Sequence, residues 1–191
     1  MSGFDREIVR LDLLMRDISR KVLPRSAASA LNKTASLSRT RIIRGVSKQL
    51  SIKQKSIRKR IYVRRATPRR QVASIAAYVR GLSAIRLKPR DTGRGGWSMR
   101  KGKGVKARGG HHFPNAFIAK GRNAQDHVFE RTGKVSRRDG KNYHHVDVVR
   151  IAIDKTLEDI APRTVRRLMN SRFDGLLQHE INHRLTKLRV K

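Results

Sequence analysis

The sequence predicts an α+β fold, with helices at both ends of the chain and a mainly antiparallel β-sheet between them. Three short segments, 116–119, 127–133 and 145–153, are rich in β-branched and aromatic residues and are separated by Gly, Asn, Asp and basic residues. This arrangement is typical of consecutive strands joined by turns. Residues 155–191 then show helical periodicity, and the 191-residue chain has the length expected of a single domain.

Helices are predicted for the first third of the chain. Apolar residues recur every three or four positions over 1–23, and Pro24 is expected to end this N-terminal helix. Two basic helices are predicted within 26–61, and the first of them presents small residues that allow close packing. Ser51 followed by Gln54 is a capping-box pattern, which predicts the start of the second.

The sheet region is predicted to span 72–153. Side chains alternate in character over 72–80, and Gly81 permits a turn into a second strand at 83–87. Residues 91–112 contain seven glycines among many basic residues. Such a composition predicts a mobile loop or a long hairpin.

Two apolar residues in this loop, Trp97 and Met99, leave two alternatives open. They either insert into an adjacent subunit or pack beneath the loop itself. The first alternative makes the loop a candidate inter-subunit contact. Its candidate residues are Arg94, Trp97, Met99, Arg100, Lys101 and Lys103.

The C-terminal segment 155–191 carries two apolar stripes and a basic polar face, which predicts amphipathic helices. Pro162 falls near the start of this segment, where a helix tolerates proline. Gly175 is expected to mark a kink or a break between two helices.

Charge is the most informative property of the chain. It contains 47 Lys+Arg against 14 Asp+Glu, a formal net charge of +33. No acid lies between Asp17 and Asp91, and the residues between them include 21 Lys or Arg. Crowded like charges repel each other, so this segment is a candidate surface for DNA or an acidic partner, with mere solubility as the alternative. The candidate residues are Arg39, Arg41, Arg44, Lys48, Lys53, Lys55, Arg58, Lys59, Arg60, Arg64, Arg65, Arg69 and Arg70.

Motifs with catalytic chemistry are weak. His179, Glu180 and His183 match the HExxH pattern of zinc proteases. Catalytic zinc takes a third protein ligand, and residues 184–191 contain no His, Asp or Glu, so the match is interpreted as coincidence. The chain has no cysteine, which excludes disulfides and a cysteine nucleophile. No catalytic residue, metal, cofactor or membrane-spanning segment is predicted.

Three sequence segments carry a resemblance to a known family. They read AFIA at 116–119, VFERTG at 128–133 and VDVV at 146–149, the last leading into the final helix. Together with the small-residue helix and basic segment before them, they resemble the minor tail protein Z family of lambda-like, long-tailed phages. The resemblance implies a non-enzymatic virion protein, a tail completion or neck-region subunit at the head-proximal end of the tail.

The resemblance also implies partners and a location. The expected partners are copies of the chain itself in a hexameric ring, the tail terminator, the tail tube and the head-to-tail connector, with phage DNA in the tail channel as a further candidate. The subunit would act in head–tail joining and DNA passage. It would reside in the virion tail or neck, and in the host cytoplasm during assembly, without membrane contact. A basic RNA-binding protein of ribosomal type is the alternative, because phosphate-backbone binding needs little besides positive charge.

Overall fold

The computed structural model describes residues 11–91, 104–138 and 141–189. It contains long helices near both ends and several small antiparallel sheets between them, which confirms the α+β class. The described residues fall into two compact units. The helical unit lies within 1–42, 61–77 and 160–191, and the sheet unit within 43–60 and 78–159. The single domain expected from chain length stays a prediction.

The N-terminal helices form one continuous run. Residues 11–17 are helical, Ile18–Val22 form a π-helical turn, and helix α1 spans Leu23–Gln49. The prediction that Pro24 ends a helix is therefore wrong. A proline clashes with the carbonyl group four residues earlier, and that carbonyl belongs to the π-turn, whose wider i→i−5 bonding is seen between the Leu23 N–H and the Ile18 carbonyl. The π-turn thus accommodates the proline within the helix.

The second basic helix is shorter than predicted. Helix α2 spans Gln54–Arg58, and its N-cap is Lys53, without a side-chain capping bond. The capping role predicted for Ser51 is wrong, because Ser51 lies in a turn with a φ of 51°. The helix also stops before residue 61, since strand β1 occupies Ile61–Arg64. Its Ile-Tyr-Val sequence is of the β-branched and aromatic kind that favours strands.

The predicted hairpin over 72–88 is also wrong. Strand β2, Ser74–Ala77, pairs with β1 in the register Ile61↔Ala77. Strand β3, Leu82–Ser83, pairs instead with β10, Arg150–Ile151, and a 3-10 helix over Ala84–Leu87 follows it. The partner of β3 is distant in sequence, and the partner of β2 precedes it in a segment predicted as helix, so local alternation identified neither.

Two three-stranded antiparallel sheets complete the sheet unit. The first contains β4 (Arg90–Asp91), β5 (Val105–Lys106) and β6 (His112–Phe113). The second contains β7 (Ala116–Lys120), β8 (Asp126–Arg138) and β9 (Lys141–Val148), which confirms three consecutive antiparallel strands at the predicted segments. The third predicted segment, 145–153, is divided, because β9 ends at Val148 and 150–151 pair with β3 in another sheet. A buried cluster of Ala84, Val105, Ala116, Val128 and Val149 forms a hydrophobic core within the sheet unit.

The loop predicted at 91–112 is partly described. In its described part, β5 pairs with β4 on one side and with β6 on the other. Residues 92–103 lie outside the described residues. The candidate inter-subunit contact falls among them and stays a prediction.

Helix α3 spans Asp154–Arg189 without interruption. The break expected at Gly175 is wrong, and Pro162 also lies within the helix. Leu157 and Leu168 on this helix are buried. Of the described helices, none combines the length and the apolar composition that crossing a bilayer requires.

Candidate basic interaction surface

The candidate basic residues are divided between the two units. The helical unit holds Arg39, Arg41 and the four arginines within 64–70, and the sheet unit holds the remaining seven. All are exposed except Arg39 and Arg60, which are half-buried. The exposed members can meet a partner, whereas the two half-buried arginines are engaged in contacts within the chain.

Arg39 connects the first helix to the first strand. Its Nε donates a hydrogen bond to the Ile61 carbonyl at 2.7 Å. This bond satisfies a backbone acceptor next to the fully buried Ile61 side chain. Arg39 therefore contributes to the packing of the helical unit.

The arginine-rich segment 64–70 is held on helix α1 by one amide side chain. The Asn32 amide nitrogen donates to the Ala66 carbonyl at 2.9 Å, and the Ala66 N–H donates back to the Asn32 Oδ1 at 2.7 Å. A turn follows, in which the Thr67 N–H donates to the Arg70 carbonyl at 2.9 Å. This reciprocal pair fixes the backbone between Arg64, Arg65 and the two arginines of the turn, whose side chains stay exposed.

Arg60 is fixed by several contacts within the sheet unit. Its guanidinium donates to the carbonyls of Arg80 and Gly81 and lies 5.6 Å from the centre of the Tyr78 ring. Burial, followed by the nearby positive charge of Arg86, lowers the pKa of Arg60. These contacts make Arg60 a structural residue, so it differs from its exposed neighbours in the candidate set.

The HExxH residues do not converge on a metal site. Glu180 is 6% exposed, and its carboxylate accepts contacts from Lys33 Nζ at 2.5 Å and from an Arg184 guanidinium nitrogen at 3.3 Å. The Lys33 hydrogen bond is the main cause of a lowered pKa of Glu180, which outweighs the opposing effect of burial. His179 and His183 are exposed. Over the described ranges, no three His, Cys, Asp or Glu residues are grouped as a metal would require.

A second basic feature lies in the sheet unit. A groove with a volume of about 530 Å³ is lined by Lys88, Pro89, Arg90, Lys106, Ala107 and Arg108, and we call it the cationic groove. None of its four cations is in the predicted basic surface. The sequence signal that could have indicated the groove is a spacing. Cations lie two residues apart in both segments, at 88 and 90 and at 106 and 108. Their pairing depends on strand register, which the sequence did not reveal.

Comparison with known proteins identifies the family. The sequence profile described as "Prophage minor tail protein Z (GPZ)" matches residues 2–191. The chain belongs to this family. The chain is 27% identical over 178 residues to the "Tail completion protein" of Escherichia phage N15. The aligned region covers 90% of this chain and 88% of that protein.

A second relative comes from phage lambda. The chain is 28% identical over 177 residues to the "Tail completion protein Z" of Escherichia phage lambda, covering 88% of this chain and 89% of the relative. The resemblance to minor tail protein Z inferred from the strand segments is thereby confirmed. No solved structure matches the chain significantly.

Proposed function

We propose that this member of the minor tail protein Z family completes the phage tail as a structural virion subunit at the head-proximal end. The observation that carries the proposal is the match along nearly the whole chain, 2–191, combined with two relatives named as tail completion proteins. The match covers 88% and 89% of the lengths of these relatives, so the sequence likeness is not confined to one segment.

The proposed role includes head–tail joining and passage of DNA through the tail. The chain assembles as a homo-oligomer, with a hexameric ring as the specific proposal, and contacts the tail terminator, the tail tube and the head-to-tail connector. Assembly takes place in the host cytoplasm and the product is part of the virion. The role is structural and requires no catalysis.

The exposed cations of the candidate basic surface support this role. They remain on the surface at Arg41, Arg44, Lys48, Lys53 and Lys55, for example. Exposed cations without neighbouring acids attract DNA or acidic protein surfaces over long range. The proposal assigns these residues to contacts with the entering DNA or with acidic neighbours in the tail.

The experiment that tests the role is complementation of a phage that lacks this gene. The wild-type chain is expected to restore infectious particles and to be found by mass spectrometry in purified virions, cross-linked to tail terminator or connector subunits. Normal infectious particles without the chain would overturn the proposal. Recovery on ribosomes and absence from virions would favour the RNA-binding alternative instead.

A charge-reversal variant tests the basic surface itself. Arg44, Lys48 and Lys55 are replaced together by Glu. The acids Asp12, Asp17 and Asp174 are left unchanged in this variant and in its control. The variant is expected to fold and to give few infectious particles, because its surface no longer attracts an anionic partner. A matched control variant replaces three cations exposed on helix α3 by Glu: Arg166, Arg167 and Lys187. Equal infectivity of the two variants would contradict a specific role of the basic surface.

A further inference from the structure

The four cations of the cationic groove come from two adjacent segments of the sheet unit, 88–90 and 106–108. Strand register places Arg90 directly opposite Lys106. Beyond the ends of β4 and β5, the Arg108 N–H donates to the Leu87 carbonyl at 3.3 Å, which keeps the two segments adjacent near Lys88 and Arg108. All four residues line the groove, and their side chains are exposed.

Such an arrangement is unfavourable in the isolated protein. Like charges directly opposite each other on adjacent strands destabilise a sheet. The chain offers little compensation, because Asp91 is the single acid between residues 18 and 125. Within the described part of the chain, none of the four side chains has an ion-pair partner. The four cations are thus available to an anion from outside the chain.

The groove lining favours one class of anion. We propose that the cationic groove binds the phosphodiester backbone of nucleic acid, and specifically of DNA during tail completion. Protein–protein contacts are centred on aromatic and other apolar side chains, whereas the other described lining residues here are Pro89 and Ala107. Lys and Arg neutralise phosphates without reading the bases. The groove therefore suits DNA of any sequence.

This inference deepens the proposed function, on which its biological meaning rests, and it adds a site outside the predicted basic surface. The two are tested separately. Complementation tests the role in the virion, whereas binding by the purified chain tests the groove. A negative result in one experiment does not change the interpretation of the other.

The binding experiment compares two variants of equal charge. In the groove variant, Lys88, Arg90, Lys106 and Arg108 are replaced by Gln. In the control variant, four exposed cations of helix α3 are replaced by Gln: Arg166, Arg167, Arg172 and Lys187. Fluorescence anisotropy with a short labelled DNA duplex gives the association constant over a series of salt concentrations. Circular dichroism verifies that both variants are folded.

The groove variant is expected to bind at least tenfold more weakly than the wild type. Its plot of log K against log salt should be shallower by about 3–4, because each lost phosphate contact removes about 0.9 from the slope. The control variant should change both quantities much less. Equal losses in the two variants, or an unchanged slope in the groove variant, would overturn the proposal, since net charge alone would explain binding.

Acetylation of the wild-type chain gives a measurement that needs no variant. DNA is expected to protect Lys88 and Lys106 from an acetylating reagent several-fold more than it protects Lys187. Equal protection of all three would overturn the proposal. This arm keeps the inference falsifiable even when the groove variant fails to fold.

Two further probes distinguish the source of the anion. Polyglutamate is the first probe, added at the same concentration of charge as the DNA. If it displaces DNA from the wild type, and if the groove variant binds polyglutamate as weakly as it binds DNA, the proposal is overturned in favour of an acidic protein surface. Single-stranded RNA is the second probe. Groove-dependent binding of RNA but not of duplex DNA would support the phosphodiester chemistry and contradict the assignment to DNA passage.

Discussion

The charged residues fall into two groups: those held by contacts within the chain and those exposed to a partner. Arg60 and Glu180 are ionised groups held by specific partners, whereas Lys55 and Arg41 remain exposed. The difference is one of desolvation, because a half-buried or buried charge is stable only where hydrogen bonds or an opposite charge replace water. Composition alone does not distinguish Arg60 from Lys55 and Arg41.

The Glu180 carboxylate contributes to stability through its two cationic partners. Glu180→Gln removes the charge that Lys33 and Arg184 contact. We expect a loss of about 1–3 kcal/mol in the free energy of unfolding, the usual cost of leaving buried polar groups unsatisfied. Urea unfolding measures it. Asp174→Asn, at an exposed position of the same helix, is the control and should change stability little.

The same carboxylate predicts a pH dependence. Because the Lys33 hydrogen bond lowers the pKa of Glu180 in the folded chain, its stabilisation is complete above the unfolded pKa of about 4.3. The stabilisation decreases as pH falls below that value through the folded pKa. The difference in unfolding free energy between wild type and Glu180→Gln should therefore shrink on acidification. A difference that is constant from neutral to acidic pH would contradict this account.

Arg60 is expected to affect stability more than its exposed neighbours do. Arg60→Ala removes hydrogen bonds to the Arg80 and Gly81 carbonyls and the contact with the Tyr78 ring. We expect a loss of about 1–3 kcal/mol in the free energy of unfolding. Thermal unfolding compares it with Lys55→Ala, an exposed position on helix α2. Equal melting temperatures would show that the Arg60 contacts add no stability.

At the scale of secondary-structure elements, close backbone contacts and strand register determine which residues affect stability. A Cβ atom added at Gly81 would lie 3.0 Å from the Arg150 Cβ and 3.1 Å from the Ile151 carbonyl oxygen. Gly81 thus permits the close pairing of β3 with β10, and not the hairpin turn that its position suggested. Gly175, by contrast, has no neighbouring atom within 4 Å of such a Cβ.

These two glycines predict substitutions of opposite sign. Gly81→Ala should destabilise the chain by about 1–3 kcal/mol, because the added methyl group overpacks the β3–β10 contact. Gly175→Ala should stabilise it by about 1 kcal/mol, because alanine is the better helix former. Denaturant unfolding of both variants checks the signs. Destabilisation by Gly175→Ala would mean that the helix is not continuous there.

The like-charge pair on β4 and β5 predicts a trade between stability and binding. Arg90→Glu places opposite charges across the pair with Lys106, which should stabilise the sheet by about 0.2–1 kcal/mol while weakening DNA binding. Urea unfolding and anisotropy measure the two effects. Lys120→Glu is the matched reversal, since Lys120 lies opposite Asp126 and the change creates a like-charge pair. Stabilisation by both variants would contradict the register argument.

The whole molecule is dominated by its charge of +33. An imbalance of this size destabilises a compact chain through self-repulsion and promotes association with anions. In this family member the charge accompanies a tail completion role, which we propose to involve DNA. Charge therefore connects the stability of the free subunit to its assembly.

Salt should stabilise the free chain. Raising ionic strength from about 0.01 to 0.15 M shortens the Debye length from about 30 to 8 Å. The repulsion between distant cations is then screened, so the melting temperature is expected to rise by a few degrees. Differential scanning fluorimetry measures it, with uncharged sucrose at equal osmolarity as the control. A melting temperature that falls with salt would show that ion pairs, and not repulsion, dominate.

The amino-acid sequence by itself determined the α+β class, the three strands of the β7–β9 sheet, the basic character and the family. These depend on local composition, on periodicity and on motifs contiguous in the chain. Only the tertiary structure decided the partners of β2 and β3, the burial of Glu180 beside Lys33, and the pairing of Arg90 with Lys106. Each of these joins separate segments of the chain, and packing and register between segments are not encoded in any single window of residues.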